Sequence, residues 1–219
     1  MRLQDLPAPG QSANGIIAGP VGDLECMVAT PRGPVRGVAV ACHPHPLYGG
    51  AMSNKVVYTL ASTAVAHGLV SARFNFRGVG LSQGAHDSAR GETDDCLALV
   101  EWLRAHLPGQ PLLLSGFSFG AFVSLQAAAR AQAAGLVSIA PPFGRYFGDA
   151  PQPPHPGCPW LVVHSRDDDT VSFEETAAIL DTYDPPPHRV TVDGAGHFFH
   201  GRLDDVRTAM QSFLVDHWA

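Results

Sequence analysis

Only one lysine, Lys55, stands against thirteen arginines in the 219 residues, and charged side chains make up just 16%. The few cations are scattered, so no stretch can track a phosphate backbone, and nucleic acid is excluded as an expected partner. Long apolar runs are missing as well. Nothing approaches the roughly 20 apolar residues that a membrane-spanning helix needs, and the opening segment Met1–Gln11 lacks the apolar stretch of an export signal. No membrane partner is therefore expected. The four cysteines, Cys26, Cys42, Cys96 and Cys158, lie far apart and form no C-x-x-C pair. They read as small buried hydrophobes in a reducing compartment, which makes a cytoplasmic address the expectation. His43 and His45 have no further ligand at metal-binding spacing, such as an H-E-x-x-H helix would supply, so neither a metal nor a cofactor is expected.

What remains is the composition of an ordinary globular protein, 45% hydrophobic, with a formal charge of −6 spread along the chain. At this length about three-quarters of the unfolded surface can be buried, so residues 1–219 are expected to form one domain. Short apolar segments alternate with amphipathic ones, the pattern of a mostly parallel sheet flanked by helices. Strands are predicted at Leu24–Thr30, Gly37–Cys42, Val70–Phe76, Pro111–Phe117, Gly135–Ala140, Pro159–His164 and His188–Asp193. Helices are predicted at Asn54–Ala66, Thr93–Leu107, Phe119–Ala134, Ser172–Asp184 and Leu203–Trp218. The Glu-Thr-Asp-Asp cluster from Glu92 suits the positive end of a helix.

The pattern G-x-S-x-G occurs twice, around Ser82 and around Ser118, and context separates them. A nucleophile elbow needs a strand that stops abruptly, a serine on a strained turn and a helix starting at once. Leu112–Ser115 supplies such a strand before Ser118, and the alanine-rich run from Ala121 supplies the helix. Gly116, Gly120 and Ala121 are small enough to let the two pass closely. Ser82 is followed by polar, turn-like residues and reads as structural. The N–H of Phe119, at the first turn of the new helix, is then one candidate oxyanion donor.

A serine hydroxyl needs an imidazole to take its proton, and the imidazole needs a carboxylate to hold its tautomer. In this fold the acid and then the histidine follow the serine along the chain. The strand ending at His164 runs into Asp167, Asp168 and Asp169, at the carboxyl end where an acid can face the elbow. Asp168 is favoured by its spacing from His164 and Val171; Asp167 and Asp169 read as solvated loop charge or a helix cap. His197 follows the last strand on the small-residue loop Gly194-Ala-Gly, with His200 as the alternative. The second oxyanion donor belongs to the loop after Cys42. Pro44 and Pro46 have no N–H, which leaves His45, favoured by position, and Leu47.

The segments His43–Gly50, Asn54–Val57, Arg73–Gly80, Gly91–Asp95 and Gly116–Ala121 together resemble a group of small bacterial α/β-hydrolases, distantly similar to dienelactone hydrolases and esterases. The resemblance runs from about Asp23 to the end. It implies a single-domain α/β-hydrolase fold, a Ser118–Asp168–His197 triad and no lid, and it brings no substrate. Dienelactone hydrolases carry cysteine at the elbow where this chain has Ser118, and the nucleophilic aspartate of dehalogenases and epoxide hydrolases is absent. Acyl transfer to water is therefore the expected chemistry. Asn75 stands where an aspartate is often found.

Many relatives insert a cap after the strand that here ends near Ala140, whereas only the Pro- and Gly-rich stretch Pro141–Cys158 precedes the next strand. An open cleft is expected, lined by Leu47, Tyr48, Phe117, Phe119, Phe143, Tyr146, Phe147 and Phe198, with some of these aromatics going to the core. Such a cleft suits small carboxylic esters or thioesters. Arg145 and Arg202 are candidate contacts for an acidic substrate. The rival readings are a serine peptidase or amidase of the same fold and a non-hydrolytic scaffold.

Overall fold

The computed structural model describes residues 1–147 and 151–218, the side chain of Arg145 excepted. Eight strands form one sheet in the order β1-β2-β4-β3-β5-β6-β7-β8. They are β1 (Ser12–Gly19), β2 (Gly22–Ala29), β3 (Gly37–Cys42), β4 (Leu69–Phe74), β5 (Leu112–Phe117), β6 (Gly135–Ile139), β7 (Trp160–Ser165) and β8 (His188–Val192). β1 and β2 form an antiparallel hairpin, β2 meets β4 antiparallel, and every other pairing is parallel.

The central strands β3, β5, β6 and β7 are buried at every residue. Such strands have helices on both faces, so runs such as Leu112-Leu-Leu need no polar alternation. On one face α1 (Lys55–Ala66) and α5 (Leu203–His217) pack through Val56, Leu60, Val206, Met210 and Phe213. On the other, α2 (Arg90–His106) and α3 (Phe119–Arg130) pack through Leu99, Leu103, Phe122 and Leu125. α4 (Phe173–Leu180) contributes Leu180 to that second core. Asn54 Oδ1 accepts the N–H groups of Val56 and Val57 at 2.9 and 3.4 Å and so starts α1. Ser172 Oγ does the same for α4.

Two details place the site. Strand order reverses at β3, which has β4 on one side and β5 on the other, so the loops leaving β3 and β5 diverge to opposite faces and open a crevice between them. Between β6 and β7, the described residues hold only a single short 3-10 turn at Gly144–Phe147 and no lid helix.

Two expectations need correction. β1 was not anticipated: its Ala-Asn-Gly start breaks the apolar alternation, and it forms because the β2 hairpin partner pairs it along its whole length. The acidic cluster opening α2 does more than face the helix dipole. Glu92, Thr93 and Asp95 are buried, and Asp95 holds the Arg77 guanidinium at 2.7 and 3.0 Å while also accepting the Arg77 backbone N–H.

Candidate active site

Ser118 joins β5 to α3 with φ 53° and ψ −123°, a strained backbone for a residue with a side chain. Two glycines make that turn possible. A Cβ on Gly116 would collide with the Gly120 carbonyl oxygen, and one on Gly120 would collide with the Cys42 carbonyl. Strand, elbow and the end of β3 therefore meet at backbone-contact distance. No side chain caps α3, so the Phe119 N–H stays free of such a partner at the positive end of the helix.

The structure brings Ser118, His197 and Asp168 together. His197 Nε2 lies 3.1 Å from Ser118 Oγ, and His197 Nδ1 lies 2.8 Å from Asp168 Oδ2. The carboxylate can only accept, so Nδ1 carries the proton and Nε2 is left to accept from the serine. Asp168 Oδ1 accepts from the N–H groups of Thr170 and Val171 at 2.9 and 2.7 Å. His164, which served in the sequence only as a spacing mark, also takes part. Its Nε2 lies 3.2 Å from Asp168 Oδ2 and 3.1 Å from the Val171 carbonyl, so it is a second imidazole donor to the acid. Burial by itself would raise the Asp168 pKa. The bonds from His164, His197 and the Val171 N–H outweigh burial and hold the carboxyl far below the usual carboxylate range.

Asp167 is more than loop charge. It accepts from Ser165 Oγ at 2.8 Å and from the N–H groups of Gly194 and Gly196 at 2.7 and 3.4 Å. Adjacent aspartates thus divide the work: Asp168 holds the imidazole, and Asp167 holds the loop that carries it. Asp169 accepts from the Thr170 hydroxyl at 3.2 Å.

On the other side of the elbow, the two candidates for second donor separate. The Leu47 N–H is taken by His45 Nδ1 at 3.2 Å, while the His45 carbonyl accepts from Tyr48 and Gly50 and fixes the loop. The His45 ring packs on Phe119, centroids 4.8 Å apart. Burial, and then the neighbouring His86, lower the His45 pKa, with Glu92 acting against them. His43 is wholly buried, and both ring nitrogens are committed: Nε2 accepts the Phe76 N–H at 3.0 Å, and Nδ1–H donates to the Pro44 carbonyl at 2.6 Å. Neither is left for a metal. Ser82, the other G-x-S-x-G serine, accepts the Glu25 N–H and donates to the Asn75 carbonyl, a structural tie between β2 and the segment after β4.

The expected cleft lining divides. Leu47, Tyr48 and Phe198 are 68%, 86% and 49% exposed. Phe117, Phe119 and Phe143 do not line an open cleft; they are buried. β5 and α3 have neighbours on every side, so aromatics there pack inward, Phe117 beneath His197 at 5.0 Å. Phe147 stacks on Phe122 at 3.6 Å. The Tyr146 hydroxyl donates to the Thr170 carbonyl and accepts the Ser172 N–H, so it braces the acid loop. Arg202 is engaged by Asp205 and the Asp193 carbonyl, and the Arg145 side chain lies outside the described residues. Two grooves of about 720 and 670 Å³, beside β8–α5 and beside Arg32–Arg36, contain none of Ser118, His197 or Asp168. The chemistry, not the volume, marks the site.

A mostly parallel sheet with a strained serine between strand and helix at its switch point is an α/β-hydrolase. Comparison with known proteins agrees: residues 47–155 match the family of the α/β hydrolase fold. XC6422 from Xanthomonas campestris, an α/β serine hydrolase without a lid, is 40% identical, with 95% of this chain and 96% of that one covered and a TM-score of 0.86. An α/β serine hydrolase homologue from Coxiella burnetii is also 40% identical, covering 96% of this chain and all 100% of that one, with a TM-score of 0.87. An uncharacterized protein of Rickettsia prowazekii (strain Madrid E) is 33% identical over 208 residues, 90% of this chain and 86% of that one. The chain belongs to the α/β-hydrolase family, among its lid-less serine hydrolases. Among the described residues no helix is long and apolar enough to cross a membrane.

Proposed function

We propose that the protein hydrolyses small carboxylic esters or thioesters through an acyl-enzyme on Ser118. The observation that carries this reading is the unbroken hydrogen-bond path from Ser118 Oγ through both nitrogens of His197 to Asp168. In the first step Ser118 Oγ attacks the acyl carbon while His197 Nε2 takes its proton, and Asp168 stabilises the imidazolium without taking the proton itself. The N–H groups of Phe119 and His45 receive the negative oxygen of the tetrahedral intermediate. As that intermediate collapses, His197 returns the proton to the leaving alcohol or thiol. Water then attacks the acyl-enzyme with His197 as base, and the acid leaves. The exposed side chains of Leu47, Tyr48 and Phe198 fit small substrates presented from solvent.

The test is turnover of short-chain p-nitrophenyl esters by the native chain, Ser118→Ala and Ser82→Ala. Loss of about three orders of magnitude in Ser118→Ala alone is the expected result. Activity retained in Ser118→Ala removes the nucleophile assignment. Amide turnover matching ester turnover would favour the peptidase reading. A native chain inert to every ester, yet labelled at Ser118 by a fluorophosphonate, would leave the machinery and remove the substrate class.

A further inference from the structure

The proposed oxyanion hole joins two segments that are distant in sequence, the loop after β3 and the first turn of α3. Its two N–H groups have to stand a fixed distance apart to grip one oxygen, yet each belongs to a different element. Their side chains meet: the rings of His45 and Phe119 touch at 4.8 Å. A third ring closes the contact into a triangle. His86 lies 4.9 Å from His45 and 5.6 Å from Phe119.

His86 sits in the turn that follows the second serine motif, and it is not left to swing. Its Nδ1 stands 2.7 Å from Glu92 Oε1, close but poorly aligned for a hydrogen bond, and its side chain is only 17% exposed. Glu92 is fully buried in the first turn of α2. Glu92 Oε1 also accepts the Asp87 N–H at 2.9 Å, which ties the His86 turn to the helix. Its other oxygen, Oε2, has no hydrogen-bond partner among the described residues. An isolated buried carboxylate oxygen is costly, so a fully buried glutamate retained here calls for a structural return. The Asp95–Arg77 pair fastens the same end of α2 to the segment after β4.

We propose that His86, set beside Glu92, is a positioning residue of the oxyanion hole, its ring packed as a wedge against those of both His45 and Phe119 so as to fix the spacing of their backbone donors. The proposal rests on the esterase reading above. The wedge never touches the substrate; it acts through the position of the two N–H groups. A preorganised donor loses much of its effect when displaced, and removal of one such donor typically costs roughly 100- to 1,000-fold in kcat. A loosened pair falls short of that.

The experiment compares native protein, His86→Ala and His86→Phe in p-nitrophenyl ester turnover, in affinity for a boronic acid that forms a tetrahedral adduct with the serine, and in thermal midpoint. Expected for His86→Ala is a kcat lowered about tenfold or more with KM within about threefold, and a matching loss of boronate affinity. His86→Phe restores both to within about threefold, because a ring of similar size refills the wedge. A merely structural role moves the thermal midpoint and leaves kcat per folded molecule unchanged. Should His86→Ala not fold, His86→Gln is read in its place, with the same loss expected. The proposal is overturned if the non-ring variant keeps native kcat and boronate affinity, or if His86→Phe is as impaired as His86→Ala. A native chain inert to all esters fails the esterase reading instead, and the boronate comparison then still decides the wedge.

Discussion

His164 shows how a side chain that the sequence uses only to place Asp168 can take part in the site itself. The acid Asp168 divides one oxygen between two imidazoles, His197 and His164, and gives the other to backbone N–H groups. With four donors around it the carboxylate cannot rotate, so its grip on His197 is directional. His164→Phe deletes one charge-assisted hydrogen bond, worth about 1.5–3 kcal/mol, and we expect kcat/KM to fall roughly tenfold. His164→Gln, which keeps an N–H donor, is expected to recover most of the loss in the same assay. Equal activity in all three proteins would remove His164 from the site. The sequence favoured one of three consecutive aspartates by spacing, and the geometry gives Asp167 and Asp168 complementary roles. What spacing could not reveal is which hydrogen bonds converge on each oxygen, because Gly194, Gly196 and His197 arrive from another strand. Asn75 is similar: its amide donates to Glu25 Oε2 at 2.7 Å and accepts the Met52 N–H at 2.8 Å. An aspartate there would set two carboxylates face to face, a reason for the amide that appears only once Glu25 is seen opposite.

At the scale of elements, the elbow is where backbone approaches backbone, and its tolerance is measurable. Gly120→Ala places a methyl group against the Cys42 carbonyl at the end of β3. Backbone on one side and α3 on the other leave no flexible side chain to yield. We expect a loss of about 2–3 kcal/mol in urea unfolding, together with reduced ester turnover, because β3 carries the His45 loop. Gly33→Ala, where no atom stands within 4 Å, is the control and should be close to neutral. The elements themselves were largely legible because the parallel strands are short, continuous apolar runs and the helices carry amphipathic stripes; β3 was read at its observed bounds. β1 was not legible, since an edge strand takes its conformation from pairing and its own sequence is rich in small residues. The aromatics named for the cleft divide for a related reason: Phe117 and Phe119, on a buried strand and helix, point into opposite cores, as expected for some of that set.

For the whole molecule, the buried ionisable groups set the direction in which stability varies with pH. His43 has its pKa lowered by burial from 6.5 to about 4, despite its bond to the Pro44 carbonyl and with His45 adding to the depression. In the unfolded chain it titrates near its ordinary 6.5. Between these values the unfolded state binds a proton that the folded state refuses, so unfolding gains ground as pH falls. The contribution is fully present above about pH 6.5 and exhausted near pH 4, and the gap corresponds to about 3 kcal/mol. Asp168 acts in the same direction at lower pH. Its folded pKa is depressed, so its stabilisation is complete above the ordinary carboxylate value of 3.8 and drains away as pH falls below it. The protein should therefore weaken in two stages on acidification, the first from His43 and the second from Asp168. Urea midpoints measured from about pH 7.5 down to about pH 4.5 probe the first stage, to which His45, its pKa also lowered, adds in the same direction, while Asp168 stays ionised throughout. The native midpoint is expected to fall across that window, and His43→Gln, whose amide oxygen can reach the Phe76 N–H in place of Nε2, should fall less steeply from a lower starting point. A native midpoint that is level from pH 7 to 4.5 would mean that His43 takes up its proton inside the fold. The loop after β3 would then have to give up the bonds that fix His45.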